Sequence, residues 1–299
     1  YLKNNSVEKL LNDLEQTDSL KKFFWNPLIL ASFNTLPEYV SADLFVKLVK
    51  KGTEYKKNMS IILSDNNLND LFIYNAVNYL NDKSVKMYLG SGVKKINIEN
   101  SIVQNIEMEN GKKEKYDYYF SMVPNYSLLK LFDKDKNSQY ICNIEKLRSS
   151  TIISVHLFFK EDLNFEIENC MIGLVDTVVQ WIFVKGKRHL CIVISGADFI
   201  ENNLTEKDNN EIFKICLNDI KSCLNGFNEN NVMDFKVIKE KRATFIPEVG
   251  SENFRNKQYS NIENLYIGGD WTDTGYPATI EGAIKSAKIC SDFIINSKN

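Results

Sequence analysis

The sequence predicts an α/β fold of mixed α+β character: a helical section, an antiparallel sheet, and a closing strand-to-helix unit. Three observations predict it. Apolar residues recur at helical spacing within 1–80, the period changes to alternation from Val85 onward, and "LYIGGDWTDTGYPATIEGAIKSA" sets an apolar run and two glycines ahead of an amphipathic helix.

Taken in order, Ser6 is placed to cap a helix carrying Leu10, Leu11 and Leu14, and Ser41 to cap "ADLFVKLVKK", which stops at Gly52. Leu68, Phe72, Ala76 and Leu80 share one face of a later helix. The segment "VKMYLGSGVKKINIENSIVQNIEMENGKKEKYDYYFSMVP" reads as a short strand, a β-meander turning at "ENGK", and a strand entering Val123-Pro124. Further strands are predicted in "TIISVHLFFK", "VVQWIFVKG", "HLCIVISG" and "VMDFKVIKEKRATF". Between the last two lies the helix "NNEIFKICLNDIKSCL", with Ile212, Ile215, Cys216 and Cys223 at helical spacing. The strand "NLYIGGD" and a helix ending near Ile295 close the chain.

The 299 residues suffice for one large or two ordinary domains, and a 43% hydrophobic content is that of a globular protein. With 37 basic and 39 acidic residues the net charge is -2, which disfavours a nucleic-acid partner. No apolar run approaches the roughly 20 residues of a spanning helix, so any membrane association is expected to be peripheral. Cys142, Cys170, Cys191, Cys216, Cys223 and Cys290 form no C-x-x-C pair and sit among apolar neighbours. They are read as reduced, buried thiols of a cytoplasmic protein. His156 and His189 lie far apart in sequence without clustered carboxylates or thiols, so no metal site is expected. The opening "YLKNNSVEKLL" has no initiator Met and no signal-peptide pattern, from which an upstream portion is expected.

The 268–288 corner carries the chemistry. Gly268 and Gly269 allow a sharp turn and a close backbone approach. Asp270 then stands at a strand's carboxyl end, where open α/β sheets bind ligands, and its carboxylate suits a ribityl or sugar hydroxyl. Pro277 has the φ of a first helical position, Thr279 is a possible cap, and Gly282 removes bulk from the first turn. A helix N-terminus of this kind carries about half a positive charge and suits an electron-rich ring. A well-capped surface helix explains Pro277 and Glu281 equally well, but the Gly-Gly-Asp strand end less well.

That stretch resembles the C-terminal FAD motif of the flavin-dependent amine oxidase and carotenoid desaturase superfamily, in which a Gly-Asp strand end precedes a helix carrying Glu-Gly-Ala. The resemblance implies an FAD-binding Rossmann-like domain with an inserted substrate domain of antiparallel sheet and helices. It places Asp270 at the ribityl chain and Tyr276, Pro277, Thr279, Ile280, Gly282 and Ala283 near the isoalloxazine, with Gly269 also at the cofactor. Val93, in "VKMYLGSGVKKI", corresponds to a valine whose backbone meets the adenine. "YDYYFSMVP" resembles the strand before the family's Ala-Val-Pro turn, with Met122 in place of the alanine.

"FFWNPLILASFNTLPEYVSADLFVKLV", "VVQWIFVKG", "CIVISGA" and "KEKRATF" narrow the resemblance to the squalene-associated hydroxysqualene dehydroxylase branch. The family's opening G-x-G-x-x-G unit has no counterpart here. "GSGVKK" at 90–95 lacks the third glycine and leads into a strand. The FAD domain is therefore expected to be incomplete at its N-terminus, with 83–130 and 260–299 lying together. Residues 1–82, as helices, and 131–259, as sheet plus helix, are expected to form the substrate domain.

The activity implied is reductive removal of the hydroxyl of hydroxysqualene, giving squalene as a hopanoid or sterol precursor, with FAD as cofactor. The partner implied is a hydrophobic isoprenoid taken from the inner face of the cytoplasmic membrane. The electron donor is left open. So is the proton donor: Tyr276 is a candidate, and packing beside Pro277 explains it as well. A carotenoid-type desaturase and a non-catalytic isoprenoid-binding remnant are the competing readings.

Overall fold

The computed structural model describes residues 1–55, 62, 64, 67–132, 143–163, 171–200 and 203–297. The helical section begins with Val7–Asp13, capped by the Ser6 hydroxyl, which accepts from Lys9 N. Asp18–Leu20 continues through a π-helical turn, Lys21–Trp25, into Asn26–Phe33, and Ala42–Thr53 packs alongside. Ile29, Phe33, Val40, Leu44 and Phe45 form the shared core of this section.

Asn34 ends the Asn26–Phe33 helix in the left-handed region, at φ 53°. Its buried side chain donates to Ser150 O at 3.3 Å and Thr244 Oγ1 at 3.0 Å, and accepts from Gly196 N at 2.7 Å. One residue thus stops the helix and docks it on the sheet.

That sheet has five strands in the order β6-β7-β8-β5-β9, with β5 Ser149–Phe159, β6 Met171–Gly173, β7 Trp181–Gly186, β8 His189–Ile194 and β9 Val232–Phe245. The named pairs are antiparallel throughout. Alternation along β5 sends Ile153, Val155, Leu157 and Phe159 into a core shared with Ile212, Cys216 and Ile220 of the Asn209–Cys223 helix. A capping box of Asp208 and Glu211 starts that helix.

A second core joins the meander to the chain's end. β1 Val93–Glu99, β2 Ile102–Met108 and β3 Lys113–Glu114 make a three-stranded antiparallel sheet. β4 Tyr119–Ser121 instead pairs in parallel with β10 Leu265–Ile267, and Tyr119, Leu265, Ile267 and Trp271 share a core with Ile96 and Val103. The closing helix is Ile280–Ser297.

Several elements depart from expectation. No strand forms at 85–92, where Val85, Met87 and Leu89 stand exposed. The helix carrying Phe72 and Ala76 opens with a π-helical stretch, Asn69–Ile73, and buries no residue along its length. Ser41 occupies its cap position but makes no capping bond through its side chain; its backbone N–H donates to Pro247 O at 2.8 Å. Ile220, not Cys223, completes the buried stripe of its helix, and Cys223 is exposed. Burial pushes the Cys216 thiol up to about 12 and the Cys290 thiol to about 11. Cys142 and Cys170 lie outside the described residues.

Candidate functional site

At the end of β10, Gly268 N donates to Ser121 O at 2.9 Å, extending the parallel pairing by one step. Gly268 has no room for a side chain: a Cβ there would collide with Met122 Sδ and come within 3.0 Å of Ser286 Oγ. Gly269, at φ +125°, would press a Cβ to 2.8 Å from the Trp271 indole nitrogen. Trp271 Nε1 donates to Val123 O at 3.0 Å, and Gly269 N donates to Ser286 Oγ at 2.8 Å. The ends of β4 and β10 are thereby pinned to each other and to the closing helix.

The loop from 270 to 276 is wound around Arg255, whose side chain is fully buried. Its Nε donates to Trp271 O at 3.1 Å, and Nη2 donates to Asp270 O at 3.2 Å, to Thr272 O, and to Tyr276 O at 2.9 Å. Nη1 pairs with Glu252 at 2.8 Å, and the guanidinium lies 4.7 Å from the Phe245 ring centroid. A planar five-donor cation suits this task because it can satisfy several carbonyls that no helix or sheet partners. Gln258 adds donations to Thr272 Oγ1 and Asp273 O, each at 3.0 Å.

With their carbonyls turned toward Arg255, these residues leave Asp270 at the carboxyl end of the parallel pair. Its carboxylate is half-buried, and burial pushes its pKa above the usual range, against the backbone amides of Trp271 and Asp270 and the Arg255 charge. Nearby on β4, the buried Ser121 hydroxyl has no hydrogen-bond partner. A desolvated carboxylate and an unmatched hydroxyl at the mouth of a parallel strand pair fit a ligand rich in hydroxyls, as a ribityl chain is.

The helix start is built differently from expectation. Pro277 is buried but lies two residues ahead of the cap, not at the first helical position. Thr279 is the cap: its hydroxyl accepts from Gly282 N at 3.1 Å, and its carbonyl accepts from Ala283 N at 3.0 Å. A Cβ on Gly282 would stand 3.1 Å from Pro277 O and 3.3 Å from Thr279 Oγ1, a tight fit that a side chain could enter only if the corner gave by a few tenths of an ångström. Ile280 is 52% exposed beside it. The Tyr276 ring lies between ammonium groups, Lys51 Nζ at 3.7 Å and Lys285 Nζ at 5.0 Å from its centroid. Lys51 belongs to the Ala42–Thr53 helix, so Tyr276 also contacts the helical section.

Gly269, Asp270, Tyr276, Pro277, Thr279, Ile280, Gly282 and Ala283 are thus one continuous corner. Val93 belongs to a different sheet, as the first residue of β1, opposite Met108. Arg255, Gln258, Trp271 and Ser286 were not legible as site residues, since "NFRNKQY" has no periodicity and Ser286 sits inside an ordinary helical pattern. The two histidines, 33 residues apart, meet across β5 and β8 with His156 Nδ1 2.9 Å from His189 Nε2. Among the described residues, no three His, Cys, Asp or Glu side chains group so as to hold a metal ion.

A parallel strand pair turning through Gly-Gly-Asp into a capped helix, beside an antiparallel sheet with its own core, defines the fold of the amine-oxidase class of oxidoreductases. An oxidoreductase from Methanosarcina mazei is similar with a TM-score of 0.71 at 13% identity, over 96% of this chain and 68% of that one. A putrescine oxidase variant reaches the same TM-score of 0.71 at 10% identity, over 99% of this chain and 68% of that one. The family of flavin containing amine oxidoreductases matches residues 3–295, and the chain belongs to that family.

Among curated relatives, a hydroxysqualene dehydroxylase of Zymomonas mobilis is 26% identical over 278 residues, covering 91% of this chain and 62% of the relative. A hydroxysqualene dehydroxylase of Rhodopseudomonas palustris is 33% identical over 124 residues, covering 41% of this chain and 28% of the relative. A 15-cis-phytoene desaturase of Glycine max is 22% identical over 275 residues, covering 87% of this chain and 48% of the relative. The chain therefore spans less than two thirds of the length of these relatives.

Proposed function

We propose that this chain forms the ribityl and ring side of an FAD-dependent oxidoreductase acting on a long isoprenoid, with reductive dehydroxylation of hydroxysqualene to squalene as its reaction. The observation that carries the reading is the half-buried Asp270 carboxylate together with the unpartnered Ser121 hydroxyl, at the carboxyl ends of β10 and β4 respectively. Asp270 and Ser121 would hold ribityl hydroxyls, and the N-terminus of the Ile280–Ser297 helix would face the ring. Bound there, FAD supplies the hydride chemistry.

The chain's own residues orient and exclude water. Arg255 sets the 270–276 loop, Trp271 and Ser286 lock the strand ends, and Tyr276, fixed between two ammonium groups, is the candidate donor of a proton to the leaving hydroxyl. Sections 83–130 and 260–299 would act as the cofactor side, with 1–82 and 131–259 as the substrate side. Among the described residues no helix is long and apolar enough to cross a membrane. Leu20, Phe23, Phe24 and Leu28, each exposed on the helical section, suit contact with a lipid surface on the cytoplasmic side.

The desaturase reading draws on the phytoene desaturase likeness, which extends over 87% of the chain. A chimera decides between them. The chain, joined to the portion of the Zymomonas relative that it does not match, is purified and its flavin content measured. It is then reduced anaerobically with dithionite and given hydroxysqualene; squalene is the expected product. Desaturation of phytoene by the oxidised chimera, with hydroxysqualene untouched, establishes the alternative. A chimera that holds no flavin overturns both.

A further inference from the structure

A cleft of about 480 Å³ opens between the helical section and the β6 edge of the five-stranded sheet. Phe23, Leu30 and Leu36 line one side, and Val175, Trp181 and Ile200 the other. Its size and apolar lining are those of a small-molecule site. Two of the polar side chains around it are engaged elsewhere. Gln180 accepts from Ser195 N at 2.6 Å and donates to Val178 O at 2.8 Å, and Thr177 donates to Val179 O at 2.7 Å. Lys22, the only cation among the described lining residues, is paired with Asp176.

Gly173 gives the cleft its shape. It sits on edge strand β6 opposite Trp181, and a Cβ there would lie 2.9 Å from the indole Cζ3. The indole can lie across the strand only because that residue has no side chain. At the other wall, Phe23 is 63% exposed and continues into exposed Leu20 and Phe24, so the apolar lining runs out to an apolar lip.

We propose that this cleft seats one end of an uncharged, branched hydrocarbon chain, and so serves as the tail site for the isoprenoid of the proposed reaction, on which it rests. The class is a hydrocarbon rather than a fatty acid, because Lys22, the only cation among the described lining residues, already has Asp176 as its partner. The exposed lip lets such a chain pass from a lipid phase to the cleft without its full length crossing water.

The test uses the 299-residue chain with squalene delivered from cyclodextrin, measuring bound squalene after gel filtration and the change in tryptophan emission. The wild-type chain is expected to bind squalene at least about tenfold more tightly than palmitate. Gly173→Leu drives the indole off its seat and into the cleft, and Val175→Lys sets an ammonium against the apolar wall. Gly173 lies on the edge strand and Val175 in the loop just beyond it, so either variant that keeps the wild-type circular dichroism serves, and each is expected to lower squalene affinity about tenfold or more. Squalene bound equally by the wild type and a folded variant removes the cleft from the reading while leaving the isoprenoid substrate standing. Palmitate bound as tightly as squalene overturns the ligand class. A wild-type chain that binds no squalene overturns both this site and the isoprenoid reading.

Discussion

Arg255 Nη2 donates to the backbone carbonyl of Tyr276 at 2.9 Å, across a sequence separation of 21, closing the chain around one buried guanidinium. The same cation holds the carbonyls of Asp270, Trp271 and Thr272. The conformation of the corner therefore depends on a side chain that lies outside it in sequence and is itself fully buried.

Arg255→Met leaves these carbonyls without a donor and is expected to cost about 3 kcal/mol or more, read from urea denaturation. Arg255→Lys keeps the charge but not the planar fork and should recover only part of the loss. A loss within about 0.5 kcal/mol of zero for the Met variant would show that the loop holds its shape without the cation.

Gly268 and Met122 occupy one space between them. Gly268→Ala should destabilise by about 1 to 3 kcal/mol through overpacking, and Met122→Ala should relieve most of that cost in the double variant. A double-mutant cycle by thermal melting checks it. Additive losses would place the strain instead at Ser286 Oγ, 3.0 Å from the same Cβ position.

Asp270 should trade stability against affinity. Its carboxyl pKa is raised above the usual 3.8, chiefly by burial. For an acid with a raised folded pKa, the stabilising contribution is present below the unfolded value and lost as pH rises through the folded value. Asp270→Asn should therefore be more stable than the wild type at pH 7, with the difference narrowing as pH falls through the raised folded pKa and closed below the unfolded value of 3.8. In the flavin-holding chimera, Asp270→Ala should weaken FAD binding about tenfold or more through loss of a charge-assisted hydrogen bond.

The His156–His189 pair should make the sheet acid-sensitive. Burial lowers both imidazoles below 6.5; Lys236 and Lys185 add to this at His156, and His156 and Lys185 at His189. For a base with a depressed folded pKa, the contribution is present above the unfolded value and lost as pH falls through the folded one. Stability measured by urea midpoint should fall between pH 7.5 and pH 5, and His156→Gln with His189→Gln should flatten that limb. An unchanged slope in the double variant would assign the acid loss to other groups.

Elements whose pattern repeats over many residues were legible from the chain alone. β5 alternates along its length and β9 through its middle, β7 and β8 are short apolar runs, and the Asn209–Cys223 helix carries both a three-and-four spacing and an Asp208–Glu211 cap. The 268–288 corner was legible for a related reason: Gly268 and Gly269 stand where a side chain would collide, so steric necessity is written at those positions. Reading failed where a pattern needs a neighbour to act on it. "VKMYLGS" alternates as a strand should, yet among the described residues no edge offers it hydrogen bonds, and Val85, Met87 and Leu89 stay exposed.

Residue type and local spacing set which segments were helix, strand and sharp turn, because those preferences act within a few residues. Contacts between distant segments were settled only by folding. Arg255 reaches Tyr276, Asn34 reaches Ser150 and Gly196, Trp271 reaches Val123, and His156 meets His189, each across a separation at which no periodicity survives. A buried polar group must find its partner wherever packing brings one, and which partner it meets is a property of the assembled core rather than of the residues beside it in the chain.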